Sequence, residues 1–357
     1  MYKRKGYVKI NMIKKILKII LKFSVSISIL LCAFMVLVFY CNLGPFNKLR
    51  TLWVTTAMTT FKHQWLATDF ISSTEINRIL NSNRVVATND KTSTGESAAK
   101  NNLSEKSYNT YDNMVVKASS FSTSDTISVI NINENNYTGK LMIVDNPKRV
   151  ELATIDKFSL NIKGDKLLEL AQNNYAVAAI NASAFIDPNG TGNGGVPMGI
   201  VVKNGKVIYN DTSGAFNIVG FDYSGRLITG QFTLEDVAKS NIKDAVSFGP
   251  ALIINGKPVT IEGDGGSGLQ PRTAIGQTVD GKVLLLEIDG RQPLYSVGDS
   301  IKDIQDIMVR YGAINASNLD GGSSTAMYYN GEIINKPCGP LGSTGGRYLP
   351  TAFLVTK

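Results

Sequence analysis

Residues 198–210 read MGIVVKNGKVIYN. Two runs rich in β-branched residues, Ile200–Val202 and Val207–Tyr209, stand on either side of Asn204-Gly205. Asn-Gly suits a two-residue hairpin turn, whose central residues both take positive φ. The stretch therefore predicts two neighbouring antiparallel strands. Outward from it, short apolar runs recur at turn-marked intervals. Before it come TISVINI (126–132), KLMIVD (140–145) and YAVAAIN (175–181); after it come AFNIVGF (215–221), RLITG (226–230) and AVSFGPALIING (245–256). RTAIGQT (272–278), KVLLLEIDG (282–290), AINASNLD (313–320), TAMYYNGEII (325–334) and YLPTAFLVT (348–356) complete the series. Helical spacing shows in two places, GDKLLELAQNN (164–174) and DSIKDIQDIMVRYG (299–312), the second with Ile301, Ile304, Ile307 and Met308 on one face. The expected fold is an α+β domain over residues 125–357, with mixed or mostly antiparallel sheets and a few helices.

The net charge of +8 is local. Residues 1–22 hold Lys3, Arg4, Lys5, Lys9, Lys14, Lys15, Lys18 and Lys22 and no acid, which leaves 29 basic against 29 acidic residues in the remainder. The basic pI thus reports a tail and points to no nucleic-acid partner. Residues 23–40, FSVSISILLCAFMVLVFY, carry no charge and match a bilayer core in length as a helix. The concentration of lysines before the apolar stretch predicts a membrane anchor over 23–41, with residues 1–22 as a cytoplasmic tail and the rest exported. Bulky residues at the exit argue against a cleaved signal peptide. Residues 42–80 read as a helical stalk, with Ser73-Thr74-Glu75 opening a helix, and residues 81–124, rich in Asn, Ser, Thr and Lys, as a flexible spacer.

The one histidine, His63, lies beside the anchor. A His-dependent triad or a His-rich zinc site in the main domain is thereby excluded. Cys338 is the one cysteine beyond the anchor region, so no disulfide within the domain is available.

Four polar, glycine-rich stretches interrupt the strands: 180–199, 247–258, 263–300, and 318–327 together with GSTGGRYLPTAF (342–353). Asn181 and Asn318 end or nearly end apolar runs, and Asp289 and Asp320 follow two others. A carboxylate at a strand end before glycine is placed where backbone can approach a ligand. Arg272, Arg291 and Arg347 are candidate phosphate forks. In NLDGGSSTAM (318–327), Gly321 and Gly322 free backbone N–H groups, while Ser323 and Ser324 add hydroxyls for phosphate or sugar oxygens. Asp187 begins DPNGTGNGG in the manner of a calcium loop, although the twelfth position is Met198 rather than Glu. A divalent cation such as calcium has no better candidate in the sequence.

Three motifs in order, SFGPALIINGK (247–257), RTAIGQTVDGKVLLLEIDGR (272–291) and NLDGGSSTAMYYNG (318–331), resemble the phosphodiester glycosidase family. The likeness covers roughly residues 125–357, and the N-terminal span and stalk are similar to those of membrane-anchored bacterial members. The resemblance implies hydrolysis of a sugar-1-phosphodiester, with a carbohydrate phosphodiester as substrate. Two departures stand out. The family loop often reads Asp-Gly-Gly-Gly-Ser, whereas two glycines precede Ser323 here. Its Asn-Gly-Gly stretch before Phe is here Asn181-Ala182-Ser183-Ala184-Phe185. On this reading Asp289 and Asp320 are the catalytic carboxylates, one as nucleophile or base and the other placing water or substrate. Asn181, Asn318, Arg272, Arg291, Arg347 and the 321–324 backbone and hydroxyls bind the substrate. The rival expectation is a non-catalytic module that holds an envelope polysaccharide.

Overall fold

The computed structural model describes residues 2–60, 63–92, 122–188, 190–339 and 346–357, with side chains from residue 14 onward. The chain divides into two compact units, Met1–Ile79 and Leu80–Lys357.

In the first unit one helix runs over Tyr2–Tyr40, so the basic tail and the apolar stretch are a single helix. Its segment Lys14–Tyr40 is long and apolar enough to cross a membrane by length and composition. Helices Gly44–Met58 and Trp65–Thr68 follow, and Ser73–Ser82 begins where Ser72 Oγ accepts the Glu75 N–H at 3.3 Å. Glu75 pairs with Arg78 at 2.6 Å and with the buried Arg50 at 3.4 Å.

Among its described residues the second unit has three large antiparallel sheets around a shared core and a fourth of two short strands, 84–85 and 261–262. The first has seven strands in the order 257–258, 251–254, 313–319, 272–278, 283–288, 138–144 and 127–133. The second has five: 332–333, 327–329, 178–181, 351–355 and 150–154. The third also has five: 206–210, 200–203, 242–246, 216–222 and 227–232. Alternation along each strand sends one set of side chains inward, where Met142, Ile275 and Leu319 meet Ile180, Phe353, Phe221 and Val246 in a shared cluster. The opposite face of each large sheet is covered by a helix. Ile301–Arg310 lies on the seven-stranded sheet, Leu167–Asn173 on the second and Leu234–Lys239 on the third. Burial on both faces explains why the central strands read as nearly unbroken apolar runs, while the edge strands 127–133 and 206–210 are largely exposed.

The 198–210 hairpin forms as expected, with Asn204 and Gly205 at φ 50° and 75°. Strand Arg272–Thr278 has the bounds read from the sequence. Three expectations are corrected. The run 245–256 is two strands in two different sheets, Ile242–Val246 and Ala251–Ile254, because the chain changes sheet through Ser247–Pro250. Helix Leu234–Lys239 was not foreseen; six residues are too few for a periodic signal, and it rests on a capping box between Thr233 and Asp236. Part of the expected 81–124 spacer is built into the folded unit. Arg84–Val85 pair with Ile261–Glu262, and the Thr92 N–H reaches the Thr229 carbonyl at 2.9 Å. Backbone pairing needs no apolar side chains, so composition gave no sign of it. Residues 93–121 of that spacer lie outside the described residues.

Candidate active site

Strand Ala313–Leu319 is buried along its whole length. After Leu319 the chain leaves the seven-stranded sheet, makes a short 3-10 turn over Gly322–Ser324 and enters strand Met327–Tyr329 of the second sheet. Residues 320–326 are therefore a crossing between two sheets. The Asp320 N–H donates to the Ala182 carbonyl at 3.1 Å, and Asn181 Nδ2 donates to the Asp320 carbonyl at 2.6 Å. Asn181 Oδ1 accepts from the Thr273 hydroxyl at 2.9 Å and from the Ala326 N–H at 3.1 Å. The Gly322 N–H reaches the Pro271 carbonyl at 2.8 Å. Gly322 has φ 60°, and a Cβ there would stand 3.2 Å from the Arg291 guanidinium, so glycine both permits the turn and admits the arginine.

Burial pushes the Asp320 carboxyl up to about 6, against the pull of the Ser324 hydroxyl, Arg347, the Gly321 N–H and Arg291. Two guanidinium charges thus act on one carboxylate. Arg291 is exposed, with φ 58°; its Nε donates to Gln270 Oε1 at 2.8 Å, and its Nη1 stands 3.4 Å from Ser323 Oγ. Arg347 lies over the Phe185 ring at 4.7 Å and pairs with Asp187.

Asp289 has a different setting. It is 2% exposed. Its carboxylate accepts from the Tyr295 hydroxyl at 2.9 Å, from Asn335 Nδ2 at 3.0 Å and from the Lys336 N–H at 3.0 and 3.2 Å. Burial raises its pKa, while these donors and the Lys336 charge lower it. Asn335 Oδ1 also takes the Met327 N–H at 2.9 Å. Asp289 therefore braces the far end of the crossing that Asp320 begins.

A family model for phosphodiester glycosidases matches residues 174–356, more than half of the chain. The chain belongs to the phosphodiester glycosidase family. A curated relative, the SPbeta prophage-derived uncharacterized protein YomE of Bacillus subtilis (strain 168), is 32% identical over 181 residues, which are 48% of this chain and 27% of that protein. The chain thus spans about a quarter of that relative's length. Among solved structures, the zebrafish N-acetylglucosamine-1-phosphodiester alpha-N-acetylglucosaminidase catalytic domain, auto-inhibited by its pro-peptide, is similar in fold. Its TM-score is 0.52 at 19% identity, covering 65% of this chain and 82% of that one. A putative exported protein from Burkholderia pseudomallei K96243 gives a TM-score of 0.46 at 16% identity, covering 62% and 74%.

The matched phosphodiester glycosidase segment contains every expected site residue, and the glycine-rich stretches touch in pairs, through Asn181 and Asp320, Asn318 and Gly249, Gly322 and Pro271, and Arg347 and Asp187. Arg272 and Asn318 hold two of them. Arg272, 7% exposed, donates from Nε to the Asp299 carbonyl at 3.1 Å and from Nη2 to the Ser267 and Gly268 carbonyls at 3.1 and 2.8 Å. Burial raises the Asp299 carboxyl well above its usual range, and the Arg272 charge opposes this. Asn318 Nδ2 donates to the Gly249 carbonyl at 2.9 Å. The Arg272 donors and the Asn318 Nδ2 thus go to backbone carbonyls, and Asn181 to backbone and Thr273, in contrast to Arg291 and Arg347, whose charges reach Asp320. Ser323 Oγ faces Arg291 and lies 3.5 Å from Cys338 Sγ.

Where the sequence departs from the family pattern, the side chains turn inward: Ala182 is fully buried, and Ser183 Oγ bonds Thr351 Oγ1 at 2.7 Å. At Asp187, the candidate calcium position, the carboxylate oxygens take the Thr191 N–H at 2.8 Å, the Gly192 N–H at 3.0 and 3.1 Å, and Arg347, so a cationic side chain already pairs with this carboxylate. Among the described residues no group of three His, Cys, Asp or Glu side chains gathers. Sequence reasoning missed Gln270, Thr273, Tyr295, Asn335 and Lys336. The polar run Asn335-Lys336-Pro337 after a strand was the one available signal.

Proposed function

We propose that this protein is a membrane-anchored hydrolase that works outside the cytoplasm on sugar-1-phosphodiesters of cell-surface glycopolymers or glycoconjugates. The observation that carries this reading is Asp320, a covered carboxylate under two arginine charges at a sheet crossing. The lysine-flanked apolar stretch supports the location. In the proposed step Asp320 takes a proton from water as the water oxygen bonds to the anomeric carbon. The bond between that carbon and the phosphate oxygen breaks, and its electron pair leaves with the phosphate. A phosphate monoester has a second pKa near 6 and departs without a protonating carboxyl, so the reaction proceeds without the acid partner that ordinary glycosidases use. Arg291 and Arg347 hold the charge that builds on the phosphate. Asp289 acts as a positioning residue through Tyr295, Asn335 and Lys336.

The test uses the full chain in neutral detergent micelles, an N-acetylglucosamine-1-phosphodiester and 18O-labelled water. Label in the sugar hydroxyl is expected. Label in the phosphate overturns the step. Binding without any hydrolysis, by this chain and over a panel of other sugar-1-phosphodiesters, would leave a polysaccharide-binding module instead.

A further inference from the structure

Next to Arg347, a second group of cations lies outside the step just described. Lys163 Nζ stands 5.1 Å and Lys166 Nζ 4.7 Å from the centre of the Tyr348 ring. Lys166 Nζ also donates to the Gly346 carbonyl, the backbone group just before Arg347. Among the described residues, no carboxylate lies within ion-pair distance of either ammonium. This holds although Asp165 and Glu169 are close in sequence: Glu169 Oε2 is taken by the Lys166 N–H at 2.7 Å, and Asp165 is partly buried. Other lysines of the same unit do have acid partners, such as Lys91 with Asp236 and Lys243 with Glu151.

The placement is rigid. Asp165 and Leu349 exchange backbone hydrogen bonds at 3.1 and 2.8 Å. Any side chain at Gly164 would collide with the Gly194 and Leu349 carbonyls, and any at Gly194 with the Tyr348 carbonyl. Three backbone segments are therefore in direct contact, and they set the stems of both lysines beside one ring. Lys163 is exposed, and Lys166 and Tyr348 are half-buried, so the charges remain open to solvent. A neutral sugar gains little from two ammoniums that crowd the aromatic ring on which it would stack. An anion gains from both.

We propose that Lys163, Lys166 and Tyr348 form a subsite for a second phosphate of the substrate, which is then a chain of repeating phosphodiesters rather than a molecule with a single one. This deepens the proposed function and rests on it for the assignment of the first phosphate to Arg291 and Arg347. The second phosphate binds within the same molecule, so each engaged group multiplies the affinity of the other.

The test measures binding, not turnover, with probes that contain no sugar: glycerol 3-phosphate and glycerol phosphodiester oligomers with two and four phosphates. The full chain is titrated in neutral detergent by calorimetry, so the basic N-terminal tail is the same in every variant. From one phosphate to four, Kd is expected to fall about tenfold or more, the scale of one charge-assisted contact. In Lys163→Ala/Lys166→Ala the fall shrinks to about threefold or less, on the same scale. In Lys203→Ala/Lys206→Ala, on the remote hairpin, it stays as in the native chain. A full gain in the first pair, or an equal loss in both pairs, overturns the subsite. If loss of the Gly346 contact unfolds the double variant, Lys163→Ala alone carries the test, because that side chain is exposed. A chain that cleaves no sugar phosphodiester but keeps a phosphate-number gain dependent on Lys163 and Lys166 retains the subsite and loses the hydrolase.

Discussion

Asn181 Nδ2 donates to the carbonyl of Asp320 at 2.6 Å, and this bond joins the end of a strand in the second sheet to the residue that leaves the first. The same side chain accepts from Thr273 and Ala326. One amide thus fixes both ends of the sheet crossing. Asn181→Ala strands buried donors of both partners and is expected to cost about 1–3 kcal/mol, read from urea unfolding. Asn181→Asp keeps the acceptor but turns a carboxylate oxygen toward the Asp320 carbonyl, so turnover falls further than stability accounts for. Normal turnover per folded molecule in Asn181→Asp would show that the bond does not set the position of Asp320.

Asp320 gives two opposite pH effects. As a base it must be ionised, so kcat/KM should rise with pH through about 6. Its folded-state pKa lies above the unfolded value, near 3.9. Its contribution to stability is therefore fully present below that value and is lost as pH rises through about 6. Asp320→Asn removes this loss. At pH 7.5 the variant should melt at least about 2 °C higher than the native chain, a difference that closes near pH 4, while turnover drops by about 10²-fold or more. A variant that is both less stable at pH 7.5 and fully active contradicts the assignment.

Arg291 and Arg347 lower the Asp320 pKa from two directions. Arg291→Gln should shift the acidic limb of the rate profile upward as well as raise KM. Arg347→Gln should do the same and also release Asp187. An unchanged limb together with a raised KM would assign these arginines to binding alone.

Arg272 is expected to behave otherwise. Its guanidinium is spent on the Ser267, Gly268 and Asp299 carbonyls. Arg272→Lys keeps the charge but loses the fork. Thermal melting should fall by several degrees while turnover per folded molecule stays within about threefold, since a buried network is lost and no substrate contact. A native melting curve with turnover reduced tenfold would return Arg272 to the phosphate.

For the proposed topology, alkaline phosphatase fused after Lys357 should be active in a bacterial host, and the same reporter fused after Lys22 should be inactive. Reversal of the two activities would place the folded unit inside.

The sequence by itself determined many of the elements. β-branched runs around Asn204-Gly205, the seven residues Arg272–Thr278 and the stripe Ile301, Ile304, Ile307 and Met308 formed as read, because period and turn chemistry are local. Each of the three motifs that carried the family likeness is also one continuous stretch of sequence. Only the tertiary structure separated Asp289 from Asp320. Both follow apolar strands and precede glycine, but donors for Asp289 come from residues 295, 335 and 336, while the charges on Asp320 come from 291 and 347. Arg272 and Asn181 looked like ligand-binding groups for the same reason. What a polar side chain at a strand end meets depends on which loop of another sheet packs above it, and that packing is fixed by the shared core of the three sheets rather than by the neighbours in sequence.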